Sequence, residues 1–499
     1  MQVFGRGRRS AALCAAALLA ASPATAHEPP PIVSQQRIDV AGRPLAYDAE
    51  VGRLPIRDVR TGEPEGHIFY VAYRRKPVRG EVRPLTFIWN GGPGAPAASL
   101  HFEGAGPRRV ENGQMVDNAD TWLTDSDLVF VDPVGTGFSR AVSAKAEDGF
   151  TSIIGDVAAT TEFIRAFLLT HGEESRPLVI AGQSYGSGRA GAVAWRLIER
   201  GFDVRGLALI SNTTGLPDYP DRQRIALAMH VGDYAVAALY YKKLPPEFGT
   251  TPDQARARAE QWARETYLPA LQRLDQLSEA ERKQVTGQLA ARIGLKPADI
   301  DPKTLSVTQG YFLGHLVPGK LPYYSDYRFI EPYKAPPLAA GIRHLRHDLG
   351  YASDLPYLGV EPYEDGFAPD GVYPKPMNGR WTHSTVYGAT PEQIAESRAA
   401  FARTGNIGMG RYGPPLPAAA EAIGKRPDLK VLVAHGAYDP LGGCSIDAEH
   451  GRRLESPYRE AITFRCYLAG HAIYRDAPAR AAFADDMRAM ARAAAGKTP

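Results

Sequence analysis

Three short apolar segments in the first part of the chain have the length and pattern of β-strands. Residues 85–89 and 128–131 are almost continuously apolar, which is typical of strands buried on both faces of a sheet. Both runs end in a glycine-rich loop. Residues 68–73 have the pattern of a half-buried strand. These segments are therefore predicted to supply strands of a central sheet.

Helical and strand patterns then alternate. Residues 156–169 place apolar side chains at helical spacing, and an apolar strand is predicted at 177–181. That strand leads through a turn into the small-residue run 187–194, which can begin a second helix, and another strand follows at 207–211. The alternation favours a mostly parallel sheet with helices on both faces.

Between about residues 215 and 404 this alternation is lost. The stretch contains a charged helical run at 252–295, followed by an irregular region rich in proline and tyrosine. Strands are predicted again at 430–434 and 462–468. We interpret the intervening stretch as a lid or cap inserted into one α/β core, and the chain shows no internal repeat.

The N-terminus has the organisation of a signal peptide. A basic stretch with three arginines precedes an apolar run at 11–21, and residues 24–26 form an A-x-A cleavage site. The alternative is an uncleaved alanine-rich membrane anchor, which the short apolar run disfavours. We therefore expect residues 1–26 to be removed and the protein to be exported, to a periplasm or to the medium.

Composition and charge are those of an ordinary globular protein, with 44% hydrophobic and 23% charged residues among 499. Without residues 1–26, which hold three arginines and no acids, 55 basic residues balance 55 acidic ones. A neutral protein gives no reason to expect nucleic acid or a membrane as partner after signal cleavage. The expected organisation is a signal peptide at 1–26, core segments at 27–215 and 405–499, and the lid or cap at 216–404.

The strand at 177–181 runs directly into a G-x-S-x-G motif centred on Ser184. A serine hydroxyl becomes an effective nucleophile when a sharp strand-to-helix turn holds it beside a base at a helix N-terminus. Gly182 and Gly186 leave room for such a turn, because a Cβ would clash where strand and helix approach each other. The motif in this setting indicates a serine hydrolase with the α/β-hydrolase fold, a mostly parallel central sheet flanked by helices.

A serine nucleophile needs an imidazole as base and a carboxylate that orients it, and in this fold both follow the serine on loops after late strands. Asp439 follows the predicted strand at 430–434, and His471 follows the last predicted strand. Asp447 is the second candidate for the acid, although it is expected within a helix. His435 and His450 do not fit the order, since His435 precedes the acid and His450 is expected on the same helix.

Four blocks of the sequence, at 89–94, 132–139, 182–186 and 470–471, resemble the signature blocks of the serine carboxypeptidases (peptidase family S10) in order and spacing. The G-G-P-G of the first block also occurs in proline iminopeptidases, but the preceding Trp-Asn and the second block favour the carboxypeptidases. The resemblance is to an exported member of bacterial type. The inserted region shows no matching block.

The resemblance implies a role for each matching residue. Ser184 would attack the substrate carbonyl, His471 would act as base and then acid, and Asp439 would fix the imidazole tautomer. The backbone N–H groups of Gly92 and Tyr185 would form the oxyanion hole. No metal or other cofactor is implied.

The substrate's C-terminal carboxylate would be bound by Asn90, which would make the enzyme an exopeptidase. Glu103 lies near the family's second carboxylate-binding acid, but one residue out of register. In the family a glutamate, thought to be protonated when it binds the carboxylate, usually precedes the nucleophile. Here that position holds Gln183, a neutral donor that does not titrate.

Two cysteines, Cys444 and Cys466, remain after signal cleavage. In an oxidising compartment such a pair is expected to form a disulfide, which here would tie the acid loop to the strand before His471. The alternative is two small buried thiols.

Three functions stay open at this point. The first is an exported serine carboxypeptidase acting on peptides with a free C-terminus. The second is an esterase or acyltransferase with the same triad, which Gln183 leaves open. The third is a binding protein on a hydrolase fold, which the complete set of serine, acid and histidine disfavours. The preferred terminal residue and the oligomeric state do not follow from the sequence.

Overall fold

The structure is a computed structural model that describes residues 28–76, 78–211, 215–361, 381 and 419–496. The strands are β1 (Ile32–Val40), β2 (Arg43–Arg57), β3 (Pro64–Arg75), β4 (Leu85–Trp89), β5 (Arg108–Glu111), β6 (Gln114–Asp117), β7 (Asp127–Asp132), β8 (Arg140–Ala141), β9 (Leu178–Gln183), β10 (Val204–Ile210), β11 (Pro322–Tyr323), β12 (Asp326–Ile330), β13 (Lys430–Gly436) and β14 (Ile462–Tyr467). The helices are α1 (Ala144–Phe150), α2 (Ile153–His171), α3 (Tyr185–Glu199), α4 (Arg222–Tyr240), α5 (Pro252–Trp262), α6 (Leu268–Gln272), α7 (Glu279–Ile293), α8 (Gln309–Leu316), α9 (Ala339–Arg343), α10 (Ala419–Lys425), α11 (Cys444–Arg453), α12 (Tyr458–Ala461) and α13 (Ala477–Ala494). Single turns of π-helix occupy Leu100–Ala105, Ala263–Tyr267 and His344–Asp348.

A ten-stranded sheet forms the centre of the molecule. Its strands run in the order β1–β2–β3–β7–β4–β9–β10–β13–β14, and β8 pairs with β3. Neighbours from β1 to β7 are antiparallel, whereas those from β7 to β14 are parallel. Because parallel strands end at the same edge, the loops after β4, β9, β13 and β14 meet there. The mostly parallel sheet predicted from the sequence is confirmed.

Both faces of this sheet are covered, as the continuous apolar runs predicted. In β9, Leu178 and Ile180 belong to the core layer shared with α2 and α3, while Val179 and Ala181 belong to the layer under α13. A strand that is buried on both sides needs apolar residues at every position rather than at every second one.

The hairpin of β1 and β2 lies at one edge of the sheet and was not predicted from the sequence. Most side chains of β1 are exposed or half-buried, so the strand lacks an apolar run. The two strands are joined at Ala41 and Gly42, whose φ angles of 52° and 80° suit a two-residue hairpin turn.

Between β10 and β13 the described residues form helices α4 to α10 and the hairpin of β11 and β12. Helices α4, α5, α7 and α8 share a core that includes Ala437, Tyr438 and Cys444 from the segment after β13. The inserted helices therefore pack directly on the loop that carries Asp439.

The expected signal peptide at 1–26 and the expected boundary at 404 lie outside the described residues. Within the described ranges, no helix is long and apolar enough to cross a membrane.

Candidate active site

Ser184 lies in the turn that joins β9 to α3, with φ 57° and ψ −129°. A positive φ is strained for a residue with a Cβ, and here the Ser184 N–H is held by a 2.7 Å hydrogen bond to the carbonyl of Ile210. A Cβ on Gly182 would collide with the carbonyl oxygen of Gly186, and one on Gly186 would collide with that of Asn90. The two motif glycines are therefore required by the close approach of strand, helix and the loop after β4.

Asp439 and His471 come together at the same edge of the sheet. Asp439 follows β13 and is buried, and its Oδ2 lies 2.8 Å from Nδ1 of His471, which follows β14. The other carboxylate oxygen accepts the N–H of Leu441 at 2.9 Å. The carboxylate is thus fixed on both oxygens and can hold the imidazole in one orientation.

The main chain of His471 is tied to the serine turn. Its carbonyl oxygen accepts hydrogen bonds of 2.8 Å from the Gln183 side-chain amide and from the Ser211 hydroxyl. Its N–H donates to the carbonyl of Ser325, between β11 and β12. The histidine is therefore anchored both to the core and to the inserted region.

The loop after β4 packs against the serine turn. A Cβ on Gly91 would lie 2.8 Å from the backbone nitrogen of Tyr185, and Gly92 has a φ of 104°. Tyr185 is the first residue of α3, so its N–H has no acceptor within the helix. The loop after β4 and the start of α3 are thus in close contact.

Asn90 and Gln183 bond to each other and to Tyr474, a residue that the sequence did not single out. Gln183 Oε1 accepts from Asn90 Nδ2 at 2.5 Å and from the Tyr474 hydroxyl at 2.9 Å. Asn90 Oδ1 accepts the N–H of Leu100. Burial raises the pKa of Tyr474 to about 12, so its hydroxyl remains a donor at neutral pH.

Glu103 is buried and forms a two-pronged ion pair with Arg475, another residue that the sequence did not identify. Arg475 Nε and Nη2 lie 3.0 Å from the two carboxylate oxygens. Glu103 sits in the π-helical turn Leu100–Ala105, where the Gly106 N–H donates to the carbonyl of His101. The structure therefore holds Glu103 in an ion pair within a π-helical turn.

A buried ion pair bonds to Tyr185, which follows Ser184, and to the loop after β4. Arg189 of α3 donates from Nε to Asp156 Oδ2 at 2.7 Å and from Nη1 to the carbonyl of Asn90 at 3.2 Å. The Tyr185 hydroxyl donates to the same Asp156 oxygen. Both charged side chains lie on helices whose apolar pattern dominates, so no sequence pattern indicated the pair.

Asp447, the second candidate for the acid, lies on α11 and bonds to a different histidine. Its Oδ2 is 2.5 Å from Nδ1 of buried His435. His450, also on α11, bonds to the carbonyl of Pro217. The structure therefore brings neither Asp447 nor His450 to His471.

The loop at 132–139 connects neighbouring segments of the core. Asp132 Oδ1 accepts the Ala97 N–H at 2.8 Å, and Ser139 bridges the carbonyl of Asp132 and the N–H of Phe69.

Cys444, at the start of α11, forms a disulfide with Cys466 of β14, which is the pairing that the sequence predicted. Among the described residues, no group of three or more metal-binding side chains could hold a metal ion.

The strand order and the serine turn after the central strand β9 define an α/β-hydrolase. The serine carboxypeptidase family model (Peptidase_S10: Serine carboxypeptidase) matches residues 58–200 of the chain. The matched range contains the blocks at 89–94, 132–139 and 182–186, whereas Asp439 and His471 lie beyond it.

Curated relatives match part of the chain. The pheromone-processing carboxypeptidase KEX1 of Debaryomyces hansenii is 29% identical over 170 residues, or 33% of this chain and 23% of that protein. Serine carboxypeptidase-like 36 of Arabidopsis thaliana is 29% identical over 139 residues, or 26% of this chain and 27% of that protein. The chain thus matches about a quarter of the length of these relatives. Among solved structures, a bacterial heroin esterase aligns with 89% of this chain and 84% of its own at 12% identity and a TM-score of 0.32.

Proposed function

We propose that the protein is an exported serine carboxypeptidase that hydrolyses C-terminal peptide bonds through Ser184, His471 and Asp439. The observation that carries the proposal is the 2.8 Å hydrogen bond between His471 and Asp439, at the sheet edge where Ser184 occupies a strained turn. The match of the serine carboxypeptidase family model to residues 58–200, which include Ser184, supports the reaction class.

In the proposed reaction, His471 accepts the hydroxyl proton as Ser184 Oγ attacks the carbonyl carbon of the last peptide bond. The N–H groups of Gly92 and Tyr185 stabilise the oxyanion, each donor being worth roughly 3 kcal/mol in such sites. His471 then protonates the departing amine, which leaves an acyl-enzyme. Water, deprotonated by His471, cleaves the acyl-enzyme and regenerates the Ser184 hydroxyl.

Export is part of this proposal. It is supported by the disulfide between Cys444 and Cys466, since disulfides persist mainly in oxidising compartments. Peptides with a free C-terminus are the proposed substrates.

A second candidate, an esterase or acyltransferase with the same triad, is favoured by the hydrogen bonds of Asn90 and Gln183. Both amide nitrogens already donate within the protein, to Gln183 Oε1 and to the His471 carbonyl. The pair could therefore serve to position the histidine loop rather than to bind a substrate carboxylate.

The deciding experiment compares a blocked dipeptide that has a free C-terminal carboxylate with its amide and with a matched ester, from about pH 4.5 to about pH 8. Ser184→Ala serves as the blank. We expect the free acid to be cleaved in strong preference to the amide. Cleavage of the ester alone, abolished in Ser184→Ala, would contradict the carboxypeptidase and support the second candidate.

A further inference from the structure

The hairpin of β11 and β12 is bonded to both segments that carry the candidate acid and base. The Tyr327 N–H donates at 3.0 Å to the carbonyl of Tyr438, the residue before Asp439. The Ser325 carbonyl accepts the N–H of His471 at 2.9 Å. Neighbouring positions of the inserted hairpin therefore contact the acid segment and the histidine segment at the same time.

The two segments also pair directly with each other. The N–H of Ala437 donates to the carbonyl of Tyr467 at 2.7 Å, and the N–H of Tyr438 donates to the carbonyl of Ala469 at 2.9 Å. The N–H of His471, two positions further on, bonds to the hairpin instead. The position of His471 relative to the acid segment thus depends on where the hairpin lies.

Asp326 of the hairpin packs closely on the residue before the histidine. A Cβ on Gly470 would collide with the Asp326 carboxylate, so the glycine lets the hairpin and the histidine segment touch. Asp326 is buried, and the main-chain bonds of Ser325 and Tyr327 lie on either side of it in the sequence. A shift of this side chain would therefore move both bonds.

Arg328 ties the hairpin to the start of the last helix. It donates from Nε and Nη2 to Asp326 at 3.0 and 2.6 Å, and from Nη1 and Nη2 to Asp476 at 2.9 and 2.8 Å. Asp476 directly precedes α13 and follows His471 by five positions. The Arg328 guanidinium carbon also lies 4.7 Å from the centroid of the Tyr438 ring. One cation thus joins the hairpin to the chain beyond the histidine and contacts the residue before the acid.

We propose that Arg328 is a positioning residue for His471 and Asp439, acting through the hairpin. The inference rests on the proposed catalytic role of these two residues, but not on which substrate is cleaved. Without Arg328, two carboxylates would face each other with no cation between them and would repel. The hairpin would then move away from the histidine segment, and the imidazole would lose its alignment with the acid.

Steady-state hydrolysis of a reactive ester tests the proposal, with Ser184→Ala as the blank. Arg328→Gln should lower kcat roughly 10- to 100-fold and change KM by less than about threefold, because misalignment of the base affects the reaction rather than binding. Arg328→Lys keeps the charge without the planar fork and should restore part of the loss. An equal rise of KM and no change of kcat in Arg328→Gln would overturn the proposal.

A second variant guards against misfolding of Arg328→Gln. Asp476→Asn weakens the same contact at a side chain that is 26% exposed, and it should lower kcat by a smaller factor. Circular dichroism and urea unfolding check that each variant is folded. Unchanged kcat in folded Asp476→Asn and in folded Arg328→Lys would count against Arg328 as a positioning residue.

A double-variant cycle separates positioning of the base from a general effect on the fold. In the Asp439→Asn background the histidine is no longer held in the right tautomer, so Arg328→Gln should lower kcat by less than about threefold more. Losses that multiply in full would show that Arg328 does not act through the pair of His471 and Asp439.

Arg264→Gln is the matched control for removing an arginine between two acids. Arg264 lies 3.5 Å from Glu260 and 3.6 Å from Glu449, and it joins the inserted turn Ala263–Tyr267 to α11 rather than to the segments of the candidate acid and base. Its kcat should stay within about threefold of the parent. A loss as large as that in Arg328→Gln would contradict the proposal.

The same assay distinguishes failure of this inference from failure of the proposed function. Ester hydrolysis that requires Ser184 but is unchanged in folded Arg328→Gln would overturn the role of Arg328 alone. Ester hydrolysis that falls as expected in Arg328→Gln, in a protein that cleaves no peptides, would support Arg328 and contradict the carboxypeptidase. A parent protein without any Ser184-dependent hydrolysis would contradict the catalytic role of Ser184 and this inference with it.

Discussion

At the scale of the residue, two buried aspartates in the segment after β13 each bond to a histidine, and the two pairs have similar distances. Asp439 lies 2.8 Å from His471, and Asp447 lies 2.5 Å from His435. The two pairs differ in location, since His471 follows the last strand and its carbonyl is bonded to the residue that precedes Ser184. Their variants can therefore serve as matched controls for each other.

Asp439→Asn should reduce kcat for a reactive ester by a factor on the order of 10⁴, because an asparagine favours the wrong imidazole tautomer. Asp447→Asn should change kcat by less than about threefold, since its partner His435 does not reach the serine. Steady-state kinetics of both variants, with circular dichroism as a check on folding, measures the contrast. A large and equal loss in both would contradict the assignment of the acid.

Gln183 allows a second prediction at this scale. Its amide donates to the His471 carbonyl and cannot titrate, so KM for a peptide acid should stay nearly constant from about pH 5 to about pH 7.5. In Gln183→Glu an ionised side chain would face that carbonyl without a proton to donate, and KM should rise with pH. KM measured across this range in both proteins checks the prediction, and a steep rise in the parent would contradict it.

At the scale of the element, the segments after β13 and β14 are joined by a covalent link. The disulfide connects the start of α11 to β14 across 22 positions, between the loops of Asp439 and His471. The same segments pack on the inserted helices through Ala437, Tyr438 and Cys444. Loss of the link should therefore loosen the edge of the sheet where Asp439 and His471 meet.

Replacing both cysteines, Cys444→Ser with Cys466→Ser, should lower the free energy of unfolding by about 3 kcal/mol in the chain-entropy view. Urea unfolding of the two proteins measures the difference. Dithiothreitol should destabilise the parent and leave the double variant unchanged. Two alkylatable thiols in the native parent protein would show that the bond does not form.

At the scale of the whole molecule, buried ionisable groups join the inserted region to the core. Asp233 of α4 accepts the N–H of Ser445 on α11, next to the pair of His435 and Asp447. Burial raises the pKa of Asp233 to about 8. Burial opposes a charge on His435, but attraction to Asp447 outweighs it and raises the pKa of His435 to about 9.

These shifts predict that stability falls with rising pH. The folded protein binds more protons than the unfolded chain between about pH 4 and pH 8 at Asp233, and between about pH 6.5 and pH 9 at His435. The free energy of unfolding should therefore decrease from about pH 6.5 to about pH 9. Asp233→Asn keeps the acceptor for Ser445 and should reduce the slope below about pH 8. Urea unfolding across this range checks both statements, and an unchanged slope in the variant would contradict the role of Asp233.

Much of the fold could be predicted from the sequence because the central strands are buried on both faces, which forces apolar residues at every position. The edge strand β1 has no such constraint, so its polar sequence carried no signal. The candidate serine, acid and histidine were predictable for a similar reason: a sharp turn after a strand requires glycines, and loops after parallel strands meet at one edge.

What the sequence by itself determined is the set of central strands, the serine turn and the order of the candidate residues Ser184, Asp439 and His471. The tertiary structure alone decided which charged side chains pair across distant segments. Arg475 meets Glu103 and Tyr474 meets Gln183 across 372 and 291 positions, and the π turn that places Glu103 leaves no local pattern. The physical reason is that local propensity and periodicity record which side of an element is buried, whereas the partner of a buried polar group is set by the packing of elements that are remote in the chain.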